Sequence, residues 1–355
     1  MGELEEELTC FFQICVSTIV SVSYCYYVSP KIKPGVFRLL SVLPLCALLF
    51  VLPLFLSSSL LILTTTTCLT LHANFKLVLF AFDTGPLFPL PPNLSHFLCF
   101  TCFPIQPKQN HKSQDHFPKV LYAAKVVIFG VVLHINNYRY DLPQIMLLGL
   151  YPLHIYLALE LLLTLLKFVV TITFGCEPEP VFNEPYLATS LQDFWSRRWN
   201  LSVSAILRWS VYDPVRRLCK HSEWSVIIGV LASFLVSGLS HELLFFRVNR
   251  EVPTGRVTWF FVFHGVCLVA EGAMKKIARA RGWVVKPVVS RLLTVGFIVV
   301  TSGWLLFPLF KRNSMMDRFA SESLLLHGFV KHQLYVLGDV LDNIFMSHLL
   351  CVLYF

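Results

Sequence analysis

The sequence predicts an all-α fold, a polytopic transmembrane helical bundle of about 8–10 spans with short interfacial helices. Composition is the first observation behind this. Of the 355 residues, 55% are hydrophobic and 14% charged, whereas a soluble domain carries about 25% charged residues. Long uncharged runs are the second: residues 8–28 and 39–72 contain no Asp, Glu, Lys or Arg. A helix needs about 20 apolar residues to cross the hydrocarbon core, so the first run is one span and the second holds one span and the start of another. The third is a backbone argument. Amides in lipid must be satisfied within their own segment, which selects helices for these runs.

Along the chain, hydrophobic runs fall at 8–28, 39–56, 60–82, 120–135, 144–174, 224–246, 257–274, 289–310 and 324–355, the last being hard to divide. Pro53, Pro143 and Pro152 are expected to end or kink helices, because proline removes a helix hydrogen bond. No internal repeat of fixed period is present. The chain reads as a single integral-membrane domain, 1–355, whose motif-bearing region is 184–276. Its opening, MGELEEE, is acidic where a cleaved signal has a basic start, and Glu6 stands where a myristoylation motif needs Ser or Thr. The eleven cysteines are scattered. One close pair, Cys99 and Cys102, lacks the second pair that a zinc site requires, so no metal is expected.

Basic residues set the orientation through the positive-inside rule. Lys31, Lys33 and Arg38 follow the first run, which places the acidic N-terminus in the lumen. Lys108, Lys112 and Lys119 lie in the loop 83–119, and Arg197, Arg198, Arg208, Arg216, Arg217 and Lys220 in the loop 175–223. Residues 275–291 carry six bases and no acid. All four stretches fit the cytosolic side, while Lys311, Arg312 and Arg318 then fall in the lumen and strain the scheme. The net charge of +8 is thus mostly topology, and no nucleic-acid partner is expected. The sequons at Asn93 and Asn200 lie on the cytosolic side of this scheme.

Three constellations are able to carry chemistry. The first is Ser237-Gly-Leu-Ser-His-Glu-Leu-Leu-Phe-Phe246, where His241 and Glu242 sit inside an apolar helix. Ionisable residues within a span are costly and mark function by default, and histidine suits proton transfer near neutral pH. Neighbours on a helix do not face each other, so His241 and Glu242 form no ready dyad. Ser237 lies one turn before His241, and Gly238 and Ser240 allow a close backbone approach. A purely structural histidine bonded to a nearby carbonyl is the alternative.

The second constellation runs from Leu191 through Phe194, Trp195, Arg197, Arg198, Trp199 and Asn200 to Arg208. Read as one helix, it puts Arg197, Asn200, Ser204 and Arg208 on one face and Leu191, Trp195, Trp199, Val203 and Ile206 on the other. Such a basic amphipathic helix serves as an interfacial anchor or as a polar face for an anionic ligand, since arginine binds phosphate through paired planar hydrogen bonds. The third is His264. If 224–246 and 257–274 form a hairpin, His264 lies within a few ångströms of the depth of His241 at about 1.5 Å per residue. A shared polar cavity and a simple interhelical bond both fit. Glu160 and Glu271 are buried carboxylates with weaker cases.

Phosphate loops, the Gly-x-Gly-x-x-Gly fingerprint, the His-Glu-x-x-His pair and the Gly-x-Ser-x-Gly elbow are all missing. So is the His-His-x3-Asp pattern of soluble-type acyltransferases. A Phe194-Trp195-Ser196-Arg197-Arg198-Trp199-Asn200 segment, followed by an apolar helix with His241-Glu242, resembles the membrane-bound O-acyltransferase family, nearest its plant wax synthase branch. Residues 73–87, 184–216 and 257–276 are similar to that branch as well. Ser240 and Leu191 are minor departures from its pattern.

The resemblance implies an acyl-CoA-dependent transferase of the endoplasmic reticulum membrane that uses a long-chain alcohol. It assigns His241 as the catalytic histidine and Asn200 as the active-site asparagine. Phe194, Trp195, Arg197, Arg198, Trp199 and Arg208 would then contact acyl-CoA, with Ser237, Glu242 and His264 behind the reacting groups. Acyl-CoA is a co-substrate, and no bound cofactor is implied because the thioester is already activated. The oligomeric state is left open. One conflict accompanies this assignment: His241 reads as deep in the bundle and Asn200 as cytosolic. Either the helix starts deeper or the Asn200 segment dips into the bundle. The rivals are a sterol or diacylglycerol acceptor, a non-catalytic scaffold, and a transporter or channel lined by His241, His264, Glu160 and Glu271. The last class often shows inverted repeats, and none is found.

Overall fold

The computed structural model describes residues 2–108, 119–136, 138, 140–283 and 285–306, with scattered positions from there to Leu325. The first half is built from α1 (Gly2–Tyr27), α2 (Val36–Val51), α3 (Ser59–Thr65), α4 (Asn74–Ala81), α5 (Leu94–Cys102), α6 (Lys119–Asn136) and α7 (Gln144–Phe174). Three short helices follow: α8 (Leu191–Arg197), α9 (Leu201–Leu207) and α10 (Asp213–Leu218). Then come the long helices α11 (Glu223–Asn249), α12 (Arg256–Ala280) and α13 (Pro287–Leu305). No β-strand occurs among the described residues, which agrees with the all-α expectation.

Among the described residues, six segments are helical, long and apolar enough to cross a membrane: 4–31, 36–55, 144–174, 224–249, 256–280 and 287–305. Their outward faces carry residues such as Phe12, Leu162 and Leu292, each at least 60% exposed, as a lipid-facing surface requires. The run expected at 60–82 forms one continuous helical stretch over 59–81 whose middle section is π-helical, and the run at 120–135 forms the shorter α6. The run at 324–355 lies outside the described residues, Leu325 apart, as do Lys311 and Arg312.

Proline acts much as expected. Pro143 sits at the N-cap of α7, Pro53 falls in the 3-10 turn Leu52–Phe55 after α2, and Pro152 is accommodated within α7. α7 ends at Gly175, whose φ of +65° lies in the left-handed region that glycine reaches without a Cβ clash.

Between α3 and α4, residues Thr66–Ala73 form a π-helical turn. The run Thr64–Thr67 opens this stretch, and β-branched residues hold an α-helix poorly. Such wide turns recur at functional sites. Here the turn carries His72 and is tied to α11 by Arg247, whose Nη1 donates to Thr70 Oγ1 at 2.7 Å.

α11 and α12 form the expected antiparallel hairpin. Glu242 accepts hydrogen bonds from the Gly255 and Thr258 amides, which fixes the start of α12. A Cβ at Gly238 would lie 2.8 Å from Thr258 Cα, so only glycine permits this approach.

Candidate active site

The residues from Leu191 to Arg208 do not form the single amphipathic helix that the periodicity predicts. The Ser190 hydroxyl caps α8 by accepting from the Asp193 amide. The chain then breaks after Arg197, and Asn200 takes a left-handed conformation (φ 39°) and caps α9. Asparagine tolerates that conformation better than other side chains, and its carboxamide oxygen is a preferred N-cap. A straight 100° wheel cannot anticipate this turn.

The two halves on either side of the break run in opposite directions. At the start of α8 the Leu191 amide donates to Glu271 on α12, and further along Trp195 Nε1 donates to His264 at 3.2 Å. Beyond the break, the helical return limb of the hairpin ends with Tyr212 against Gly229 of α11, its Cδ2 2.8 Å from where a Cβ would stand. Gly229 lies twelve residues before His241, or about 18 Å along a helix. Residues 191–212 therefore form a re-entrant hairpin with Asn200 at its tip. This resolves the depth conflict: the Asn200 segment dips to the level of His241. Irregular backbone at such depth is tolerated where protein or a cavity surrounds it.

Three sets of bonds hold the tip. The Arg198 carbonyl accepts from the Asn183 amide and the Val181 carbonyl from the Leu201 amide. The Arg198 guanidinium donates to Asp193 Oδ2 at 2.8 Å and to the Asn183 and Glu184 carbonyls. Gln106 reaches the Ser202 carbonyl at 2.9 Å. Burial pushes the Asp193 carboxyl upward, but the Arg198 and Thr189 bonds and the Arg198 and Arg197 charges outweigh it and hold the group below its ordinary value.

A cavity of about 100 Å³ opens at this tip. Asn200, Ser237, Ser240 and His241 line it together with His72 and Thr67 of the π turn, and Phe75, Ile206 and Leu244 are among its apolar walls. Within it, His241 Nδ1 lies 2.8 Å from the Ser237 carbonyl. A carbonyl only accepts, so Nδ1 carries the hydrogen and Nε2 keeps the lone pair. The ring packs on Phe261 at 4.5 Å. The Asn200 oxygen is engaged by the Val203 amide at 3.2 Å, which leaves its NH2 as a donor.

The other predicted residues occupy different places. Phe194 stacks on Trp199, and Trp195 meets Phe234, Phe260 and Phe261, so these aromatics wedge the hairpin against α11 and α12. His264 is fully buried and does not line the cavity. Thr301 Oγ1 donates to the Phe297 carbonyl and accepts from His264 Nε2, whose Nδ1 accepts from Trp195. Its neutral ring positions Trp195 rather than sharing a cavity with His241. Glu242 is engaged in the α11–α12 turn, Glu271 caps α8, and Glu160 pairs with Lys125. Arg198 is committed to the hairpin, while Arg197 and Arg208 are exposed. Sequence reasoning missed His72. It satisfies the same criterion as His241, an ionisable residue within an apolar run.

Among the described residues, six apolar helical segments long enough to cross a membrane, packed around a cavity lined by a histidine and an asparagine, define the class as a polytopic integral-membrane protein. Residues 178–263 match the family described as Membrane bound O-acyl transferase family. The chain is 54% identical over 334 residues to probable long-chain-alcohol O-fatty-acyltransferase 8 of Arabidopsis thaliana, covering 93% of this chain and 98% of that relative. It is 56% identical over 343 residues to probable long-chain-alcohol O-fatty-acyltransferase 3 of the same plant, covering 95% and 100%. The chain belongs to the membrane-bound O-acyltransferase family and is a multi-pass acyltransferase.

Proposed function

We propose that the chain transfers a fatty acyl group from acyl-CoA to a long-chain alcohol, giving a wax ester and CoA, in the endoplasmic reticulum membrane. One observation carries this reading: the free NH2 of Asn200 and the lone-pair nitrogen of His241 belong to residues lining a single cavity. The names of the relatives supply the acceptor.

In the reaction, the alcohol oxygen bonds to the thioester carbonyl carbon while its proton passes to His241 Nε2. A positioned base of this kind contributes about 10²–10⁴-fold. The Ser237 carbonyl holds the ring and favours the imidazolium that forms. The carbonyl oxygen becomes an oxyanion that accepts from Asn200 Nδ2. Collapse reforms the carbonyl and breaks the carbon–sulfur bond, and the departing thiolate takes the proton back from His241. The thioester is already activated, so the reaction as written needs no metal or bound cofactor. Arg197 and Arg208, the latter only loosely paired with Asp213, are exposed cations on the hairpin available to the CoA phosphates.

Membranes expressing the chain, given labelled acyl-CoA with a fatty alcohol, a sterol or diacylglycerol, test this. Ester from the fatty alcohol is expected. Ester from another acceptor alone would replace the proposed substrate, and none from any would refute acyl transfer.

A further inference from the structure

We propose that His72 is the second oxyanion donor of this site, a catalytic residue acting beside Asn200; the proposal rests on the acyl-transfer reading above. His72 lines the same cavity as Asn200 and His241, is 5% exposed, and has an Nδ1 without a hydrogen-bond partner among the described residues. A buried polar atom left in that state is costly unless a ligand completes it. The placement is built rather than incidental. His72 sits on the π turn, and the Arg247–Thr70 bond ties that turn to the helix carrying His241.

The chemistry separates the two histidines. His241 has a carbonyl on Nδ1 that fixes its tautomer and leaves the Nε2 lone pair to take a proton. Among the described residues no carbonyl or carboxylate accepts from His72 Nδ1, so nothing there supports a positive charge. His72 is suited to remain neutral, and a neutral imidazole always keeps one N–H to donate. Neutral histidine is an established electrophile toward a carbonyl oxygen. The oxyanion has room for a second donor, and Asn200 brings one free amide group. As the alcohol oxygen bonds to carbon and its proton moves to His241, the carbonyl electron pair shifts to oxygen, held by Asn200 Nδ2–H and the His72 N–H. Collapse returns that pair, and the thiolate leaves with the proton from His241. His72 neither gains nor loses a proton.

The test uses the full chain in membranes with labelled acyl-CoA and a long-chain alcohol, comparing His72→Ala, His72→Phe and His72→Gln at matched abundance. Removing one oxyanion donor typically lowers kcat by about 10²–10³-fold. His72→Phe and His72→Ala are expected to fall in that range while KM for either substrate changes by less than about twofold. His72→Gln, which retains a donor, should recover a measurable part of the rate, and the acid limb of the pH–rate profile should stay in place. If His72→Ala fails to accumulate, the Phe and Gln variants carry the test. A His72→Phe enzyme with normal kcat, an effect confined to KM, or a Gln variant no better than Phe overturns the proposal. Absence of ester from the unmodified chain would instead overturn the acyl-transfer reading itself.

Discussion

Arg247 donates to Thr70 Oγ1 at 2.7 Å and to the Phe50 carbonyl at 2.8 Å, with its guanidinium 4.3 Å from the Phe50 ring centre. A single buried cation thereby binds α11, which carries His241, to the π turn, which carries His72. Arg247→Ala leaves both acceptors without their donor, at about 1–3 kcal/mol for each unsatisfied group. The variant should melt at a lower temperature in detergent and make ester more slowly. A melt and a rate equal to the unmodified chain would contradict this role.

The glycines of the α11–α12 hairpin provide a paired test. Gly238→Ala would place a methyl 2.8 Å from Thr258 Cα and 3.0 Å from its carbonyl oxygen, forcing the helices apart. Nothing lies within 4 Å of a Cβ at Gly272, so Gly272→Ala should be neutral or stabilise α12 by up to about 1 kcal/mol. The Gly238→Ala melt should fall while the Gly272→Ala melt holds or rises, and a tolerated Gly238→Ala would refute the close approach.

Arg198 and Arg197 are adjacent but do different work. Arg198 fixes the hairpin through three acceptors, and lysine cannot reproduce that planar fork. Arg198→Lys is expected to lower ester formation by at least about tenfold, the scale of 1.4 kcal/mol. Arg197→Ala should leave kcat near normal, because its side chain is exposed. Equal losses in kcat would show that the two share one role.

Arg208 tests the phosphate contact. Its side chain is 70% exposed and only 3.9 Å from Asp213 at best, too loosely paired to be structural. Arg208→Ala should raise the KM for acyl-CoA, with a difference that shrinks as salt is added. Unchanged acyl-CoA kinetics at low salt would exclude it.

Much of this arrangement was legible in the sequence. Span 144–174 appears with the expected bounds, because Pro143 and Gly175 punctuate a continuous apolar run. The pairing of α11 with α12 followed from two apolar runs and a short turn. The hairpin 191–212 was not legible as such, since helical periodicity looks the same on either side of a reversal. The cue was Asn200 itself, a preferred cap in front of Leu-Ser. For His264 the sequence leaves a shared cavity and an interhelical bond both open; its partner Trp195 is 69 residues away, and only the fold decides for the bond. His72 is not legible from length and hydropathy alone; its signal is the cost of burying a histidine within the apolar run 60–82.

The central claim is that His241 removes the alcohol proton in a cavity it shares with Asn200. The most direct measurement is ester formation from labelled acyl-CoA and a long-chain alcohol by His241→Gln, at an abundance and melting temperature matched to the unmodified chain. The account predicts a fall in kcat of about 10²–10⁴-fold, the range for loss of a general base, with both KM values nearly unchanged. A His241→Gln enzyme that forms ester at the normal rate would contradict it.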